Sequence, residues 1–467
     1  MRHSILVEFL PGKILFGCIV LLLIHSCVNK ERSYQEPSNN SMPPIAKIQE
    51  DENIEISRML VGTNVWYIDP SHEVWELIKT SGVSSLRIGG HAYDRKIPGK
   101  DQLKSWVKRI QDMGAEPILQ VSQYDPPENA AELVRYFNVD LTTGKPIKYW
   151  NIGNEPWLQN GKPELSEVGS MVESYFKPIA KAMKEIDSNI KIYGPDLCYY
   201  MDEAINDLFG GKNDISGKIP GKAYYFCDGI SWHRYPQDQN INLAYEGIED
   251  FKSSIIKCKA KVDEINTKHN RKEDNVLGWG IGEYNAKGGP QVHTWENGQM
   301  FAGILDLCMK YEATYAASWS MFENSGNRKG TDFSLIDGKN MTPRPSYRHI
   351  EMIANNFTGY YAEGNSSLSD IITFGSYEGS KVSVMIMNRA KDLKIYNLSL
   401  KNADTIAHEN LLKLNINANS NLIYTDSIDG LSTQTLVFEN DKLLKTTYSS
   451  TFFENELPPK TVEINLK

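Results

Sequence analysis

The chain has 467 residues, with 59 acidic side chains against 50 Lys+Arg, and a formal net charge of -9 argues against a nucleic-acid binder, whose surface is usually basic. Hydrophobic residues make up 40% and aromatics 10%, enough to bury large cores, so a wholly disordered or fibrous chain is excluded. Six cysteines and nine histidines, with no C-x-x-C or H-E-x-x-H run, offer neither a disulfide scaffold nor a metal cage, and no metal or cofactor is expected.

At the N-terminus, Arg2, His3 and Lys13 precede an apolar run over 14–24 that ends at Ser26-Cys27. That run is too short to cross about 30 Å of hydrocarbon as a helix and reads as a signal peptide over 1–27. Ser26-Cys27 resembles the bacterial lipoprotein cleavage site, which implies lipidation of Cys27 and an exported protein anchored to the membrane, on the outer membrane or cell surface. His25 is an unusual residue two before that cysteine, so ordinary signal cleavage is the alternative, and export follows either way. Residues 28–55 have the Pro, Ser, Asn and charge content of a tether, whose end, from Ile45 to Ile56, could donate a strand to a later sheet.

From 56 to 357 short apolar runs alternate with helical patterns. The expected strands are 59–66, 85–90, 116–122, 148–153, 191–194, 228–233, 277–283 and 315–321. Between them, Leu103, Trp106, Val107 and Ile110 keep the spacing of an amphipathic helix that Gly114 would end, and Ser71 is an N-cap candidate before Val74, Leu77 and Ile78. Eight strand–helix alternations predict an α/β fold, a (β/α)8 TIM barrel; the competing doubly wound sheet lacks a G-x-G-x-x-G after its first strand. Over 358–467 the period changes to two, at Val382, Val384 and Ile386, then Leu436 and Phe438, then Val462, Ile464 and Leu466, which predicts a C-terminal antiparallel β-sandwich.

Barrel active sites form where the strands end on the C-terminal side. The fourth run ends Asn151-Ile152-Gly153-Asn154-Glu155-Pro156-Trp157 and the seventh Gly280-Ile281-Gly282-Glu283-Tyr284-Asn285, so each places one carboxylate at the barrel mouth. Two carboxylates across a cleft are what glycosidic cleavage needs.

In this order and spacing the chain resembles the retaining clan-A glycoside hydrolases over essentially all of 58–357. The nearest likeness within them is to the heparanase and β-glucuronidase family, through Leu86-Arg87-Ile88-Gly89-Gly90, Gly153-Asn154-Glu155-Pro156, Tyr193-Gly194-Pro195-Asp196 and Ser231-Trp232-His233-Arg234-Tyr235. Tyr284-Asn285 departs from the small hydroxyl residues expected after the nucleophile. The resemblance implies double displacement, with Glu155 as acid/base and Glu283 as nucleophile. It further implies Asn154 on the sugar 2-hydroxyl, Tyr235 donating to the nucleophile, and Trp319 as floor of the subsite for the reacting sugar. His233 shares a strand face with Tyr235, Arg87 could hold Glu283 ionised, and Trp66, Tyr124, Trp157 and Tyr199 could extend an aromatic platform.

The partner expected is a polysaccharide or oligosaccharide. A uronate would call on Arg95, Lys96, Arg328 and Lys329 in loops, whereas a neutral β-glucan suits the aromatic platform equally. Outside the glycoside hydrolase reading stand a non-catalytic glycan-binding lipoprotein and a cofactor enzyme on the same barrel, the latter without a Gly-rich phosphate loop after the last two strands. Cys198, Cys227, Cys258 and Cys308 are as consistent with buried thiols as with one disulfide.

Overall fold

The computed structural model describes residues 46–49, 54–65, 69–141, 144–236, 244–323, 331–400, 415–416, 422–440 and 442–466. The leader with Cys27, the tether up to residue 45, Trp66, Arg328 and Lys329 lie outside the described residues. The first strand, β1 (Ala46–Gln49), comes before the barrel and is taken up by the C-terminal sheet, antiparallel to β10 and parallel to β13, whose ranges follow.

The barrel strands are β2 (Val61–Val65), β3 (Ser85–Ile88), β4 (Glu116–Val121), β5 (Tyr149–Ile152), β6 (Lys191–Leu197), β7 (Gly229–Arg234), β8 (Gly278–Tyr284) and β9 (Tyr315–Ser318). They are parallel in sequence order, and β9 pairs with β2 to close the ring. This is the (β/α)8 barrel expected from the alternation, and the open doubly wound sheet is excluded by the closure.

Strand parity sorts the side chains into two layers. Leu86, Ile88, Leu119, Val121, Trp150, Ile152, Ile230 and Trp232 belong to the core between strands and helices. Trp106, Trp150, Trp232 and Trp279 are fully buried. Rings of about 150–250 Å² at about 25 cal/mol per Å² give an upper bound of roughly 4–6 kcal/mol each. On the other parity, Tyr193 and Tyr315 meet inside the barrel at 5.4 Å between ring centroids. They fit because Gly229 and Gly280 stand opposite: a Cβ there would lie 2.1 Å from Tyr193 and 2.6 Å from Tyr315.

The helix His72–Thr80 starts as expected, with Ser71 accepting from the Val74 N–H, and the helix Lys100–Asp112 buries Leu103, Trp106, Val107 and Ile110. Among the described residues Cys198, Cys227, Cys258 and Cys308 are free thiols, and no helix is long and apolar enough to cross a membrane.

Beyond the barrel follow β10 (Tyr360–Ser366), β11 (Ile371–Glu378), β12 (Lys381–Asn388), β13 (Lys394–Leu400), β14 (Asn415–Ile416), β15 (Leu422–Ile428), β16 (Ser432–Glu439), β17 (Lys442–Ser449) and β18 (Lys460–Asn465). With β1 they form one strand series in the order β14-β15-β13-β1-β10-β11-β12-β16-β17-β18. Its two halves share a core of Val382, Val384, Ile386, Tyr396, Leu398, Tyr424, Leu436 and Phe438, which makes a β-sandwich. Met385, Met387, Phe374 and Tyr448 belong instead to the large core of the barrel.

Candidate active site

On the strand faces that turn inward near the barrel mouth the residues become polar: Asn64, Arg87, Gln120, Asn151 and His233 are all fully buried. Arg87 organises them. Its Nη1 donates to Asn64 Oδ1 (2.9 Å) and Glu283 Oε1 (3.1 Å), its Nη2 to Asn154 Oδ1 (2.7 Å), Asp196 Oδ2 (2.9 Å) and Gln120 Oε1 (3.3 Å), and its Nε to Asn151 Oδ1 (3.3 Å). Burial opposes the guanidinium charge, but Asp196 and Glu283 outweigh it and raise the Arg87 pKa above its ordinary value.

Glu283 does not reach the site by simple alternation. Trp279 and Ile281 belong to the outer core, so period two would send Glu283 outward as well. The β7–β8 register runs Trp232 to Ile281 and then His233 to Glu283, so Gly282 is an extra residue that re-aims the glutamate inward. A Cβ on Gly282 would lie 2.8 Å from both Asp196 Oδ1 and His233 Nε2. A second bulge between Pro195 and Leu197 does the same for Asp196, which adopts a left-handed φ of 51°.

Glu155 follows β5 with φ 44° and ψ 53°, and its N–H donates to the Asp196 carbonyl at 2.9 Å. A left-handed glutamate is an uncommon, strained conformation of the kind found at functional sites. Its Oε1 lies 3.1 Å from His233 Nδ1, which in turn lies 3.6 Å from Glu283 Oε2. One oxygen from each glutamate and a ring nitrogen of His233 all lie within 4.8 Å of one another.

Burial alone would deprotonate His233, but Glu283, Glu155 and Asp196 overcome it and push the imidazole up to about 9. Burial pushes Glu283 above the usual carboxylate range; His233 and Arg87 oppose it, Glu155 adds to it, and the Tyr235 hydroxyl, donating to Oε2 at 2.7 Å, lowers it. Glu155, His233 and Glu283 could offer three ligand atoms to a cation, yet Arg87 at 3.1 Å and a protonated imidazole already neutralise the carboxylates.

Trp319 follows β9, nearly buried, with its indole N–H on Glu323 at 2.9 Å. Its ring lies over Gly90, where a Cβ would come within 2.6 Å of it. Trp157 and Tyr199 pack edge to face at 6.0 Å, both half-buried, and Tyr124 is 48% exposed. The structure thus brings together Glu155, Glu283, Asn154, Arg87, His233 and Tyr235. Arg95 and Lys96 are exposed, and Arg95 lies in the helix His91–Arg95 rather than in the loop expected for it.

Asn64, Asp94, Gln120, Asn151, Asp196 and Glu323 were not anticipated as site residues. Asn64, Gln120 and Asn151 follow from strand parity once the barrel is recognised, and Asp196 stands in a motif that the sequence already singles out.

No protein-family profile and no curated protein matches the sequence. Solved structures match over most of the chain. An α-L-arabinofuranosidase from Thermotoga maritima has a TM-score of 0.61 at 16% identity, over 91% of this chain and 100% of that one. A family 51 α-L-arabinofuranosidase from Bifidobacterium longum has 0.61 at 14%, over 86% and 100%. A family 44 xyloglucanase from Paenibacillus polymyxa has 0.58 at 11%, over 84% and 98%. At these identities the likeness is one of fold, and the fold of this chain is the barrel with C-terminal β-sandwich that these glycoside hydrolases share.

Proposed function

We propose that the protein is a retaining β-glycoside hydrolase acting on a polysaccharide or its oligosaccharides. The observation that carries this reading is the pair Glu155 and Glu283, facing each other at the barrel mouth with oxygens within 4.8 Å. Retaining enzymes hold their carboxyls about 5–5.5 Å apart and inverting ones about 6.5–9.5 Å apart.

In the first step a Glu283 oxygen attacks the anomeric carbon as the glycosidic C–O bond breaks, and the leaving oxygen takes the proton from Glu155. In the second, Glu155 removes a proton from water, whose oxygen displaces the Glu283 ester and releases the sugar. Arg87 and Tyr235, each hydrogen-bonded to one Glu283 oxygen, favour its carboxylate form, and His233 orients Glu155. Asn154, held by Arg87 through Oδ1, donates from Nδ2 to the 2-hydroxyl. Trp319 forms the floor under the reacting sugar, and Trp157 extends it with Tyr199 and Tyr124.

Arg87 and His233 are occupied by carboxylates and Arg234 by Asp250, while Lys162 lies 5.5 Å from the Trp157 ring, so neutral glycans and uronates both enter the test. Lipidation of Cys27, with anchoring at the outer membrane or cell surface, remains the reading of the leader, and metabolic labelling with a radioactive fatty acid tests it against a Cys27→Ala variant.

The functional test is sugar release from a panel of β-glucans, xylans, arabinofuranosyl glycans and uronate-containing glycans by wild type and Glu283→Ala. Cleavage of one glycan by wild type alone is the expected outcome. Binding of a glycan without release would move the reading to a non-catalytic glycan-binding protein.

A further inference from the structure

We propose that Asp94 is a positioning residue for the acid/base: as a carboxylate it clamps the Asn154 peptide, and through it holds Glu155 in its left-handed turn, where it can protonate the leaving oxygen. The inference rests on the role of Glu155 given above.

Asp94 is 2% exposed, in the short helix His91–Arg95 that follows β3. Its Oδ1 accepts from the Gln123 N–H (3.1 Å) and Gln120 Nε2 (3.2 Å). Its Oδ2 accepts from Gln123 Nε2 (2.6 Å), Gln159 Nε2 (2.8 Å) and the Asn154 N–H (2.9 Å). Gln123 and Gln159 also donate to the Asn154 carbonyl, at 3.2 and 2.5 Å, so the residue before the acid is held on both its N–H and its C=O. Gln120 extends the set to the other half of the site, its Oε1 accepting from Arg87 and from the Gly90 N–H.

Every partner of Asp94 is a donor, so a proton on either oxygen would point at another hydrogen. Burial pushes Asp94 up to about 6, and the bonds from Gln123, Asn154 and Gln120 act against it, which leaves a carboxylate at neutral pH. The ionisable groups around it are the phenols of Tyr124 and Tyr175 and the guanidinium of Arg95 next along the chain. A carboxyl whose folded value is raised supplies stability below its unfolded value and loses it as pH rises through about 6. At neutral pH the charge therefore weakens the fold, and its use lies in holding the turn.

The experiment compares wild type, Asp94→Asn and Glu155→Ala on phenyl and 2,4-dinitrophenyl glycosides of the sugar that wild type releases. The phenyl leaving group needs the acid and the dinitrophenyl group does not. Asp94→Asn is expected to lose about 100-fold in kcat/KM on the phenyl glycoside and little on the dinitrophenyl one. Gln159→Leu, which removes one donor to Asp94 and one to the Asn154 carbonyl, is expected to give a weaker loss with the same leaving-group dependence, and serves if Asp94→Asn does not fold. Equal losses on both glycosides, or rates equal to wild type, would overturn the proposal. A wild type that cleaves neither glycoside would remove the reading of Glu155 and this inference with it.

Discussion

Tyr235 and Arg87 each place a donor on one oxygen of Glu283, at 2.7 and 3.1 Å, and the consequences of losing them differ. Arg87 also holds Asp196 and Asn154, so its removal strands buried acceptors and endangers the fold. The Tyr235 hydroxyl bonds Glu283, and its ring packs edge to face on Phe333 at 5.8 Å, a contact that Tyr235→Phe keeps. Its hydroxyl favours the carboxylate, so Tyr235→Phe raises the proton affinity of a Glu283 that burial has already pushed above the usual range. The nucleophile is then protonated at a higher pH, and activity is lost earlier as pH falls. A hydrogen bond to a charged group contributes about 1.5–3 kcal/mol, so the acidic limb of kcat/KM moves up by about one to two pH units. A pH profile of the variant measures this, and an unmoved limb contradicts the role given to Tyr235. That Glu155, Glu283, Arg87, His233 and Tyr235 meet was legible because runs that end on the C-terminal side of a barrel converge there, whereas the roles given to them come from the resemblance.

The turns and bulges that aim these side chains were not legible in the same way. Gly282 and Asp196 are single extra residues in parallel ladders, and strand alternation predicts the opposite face for Glu283. Leu86-Arg87-Ile88-Gly89-Gly90 shows what the glycines at the end of β3 do. A Cβ on Gly89 would lie 2.6 Å from Gln120 Oε1 and 3.1 Å from the Arg87 guanidinium carbon, and Gly90 has φ 118° beneath Trp319. Gly90→Ala therefore displaces the Trp319 ring as well as straining the backbone. A misplacement of about 1 Å costs about 100-fold in activity, so kcat/KM should fall by that order with an unchanged far-ultraviolet spectrum and altered tryptophan emission. Full activity in this variant would show that Trp319 does not floor the sugar site.

Across the whole molecule the barrel was readable and the sandwich only partly so, for a physical reason. Helices Trp295–Lys310 and Pro345–Ala354 join the two: Gln299 donates to the Ser432 carbonyl and Thr433 Oγ1, and His349 Nε2 lies 2.9 Å from Thr433 Oγ1. In β16 every residue from Ser432 to Phe438 is buried, one face on the barrel and the other in the sandwich core, so the polar–apolar alternation that marks a half-exposed strand is blurred. The same contact packs the C-terminal layer against these two barrel helices, and the double displacement proposed above is set at the strand ends that carry Glu155 and Glu283. That double-displacement chemistry is tested most directly by incubating the protein with the 2,4-dinitrophenyl 2-deoxy-2-fluoro glycoside of the sugar it releases and mapping the adduct by mass spectrometry. A covalent glycosyl ester on Glu283 is the predicted result; an ester on another residue, or first-formed sugar of inverted anomeric configuration with no adduct, would contradict it.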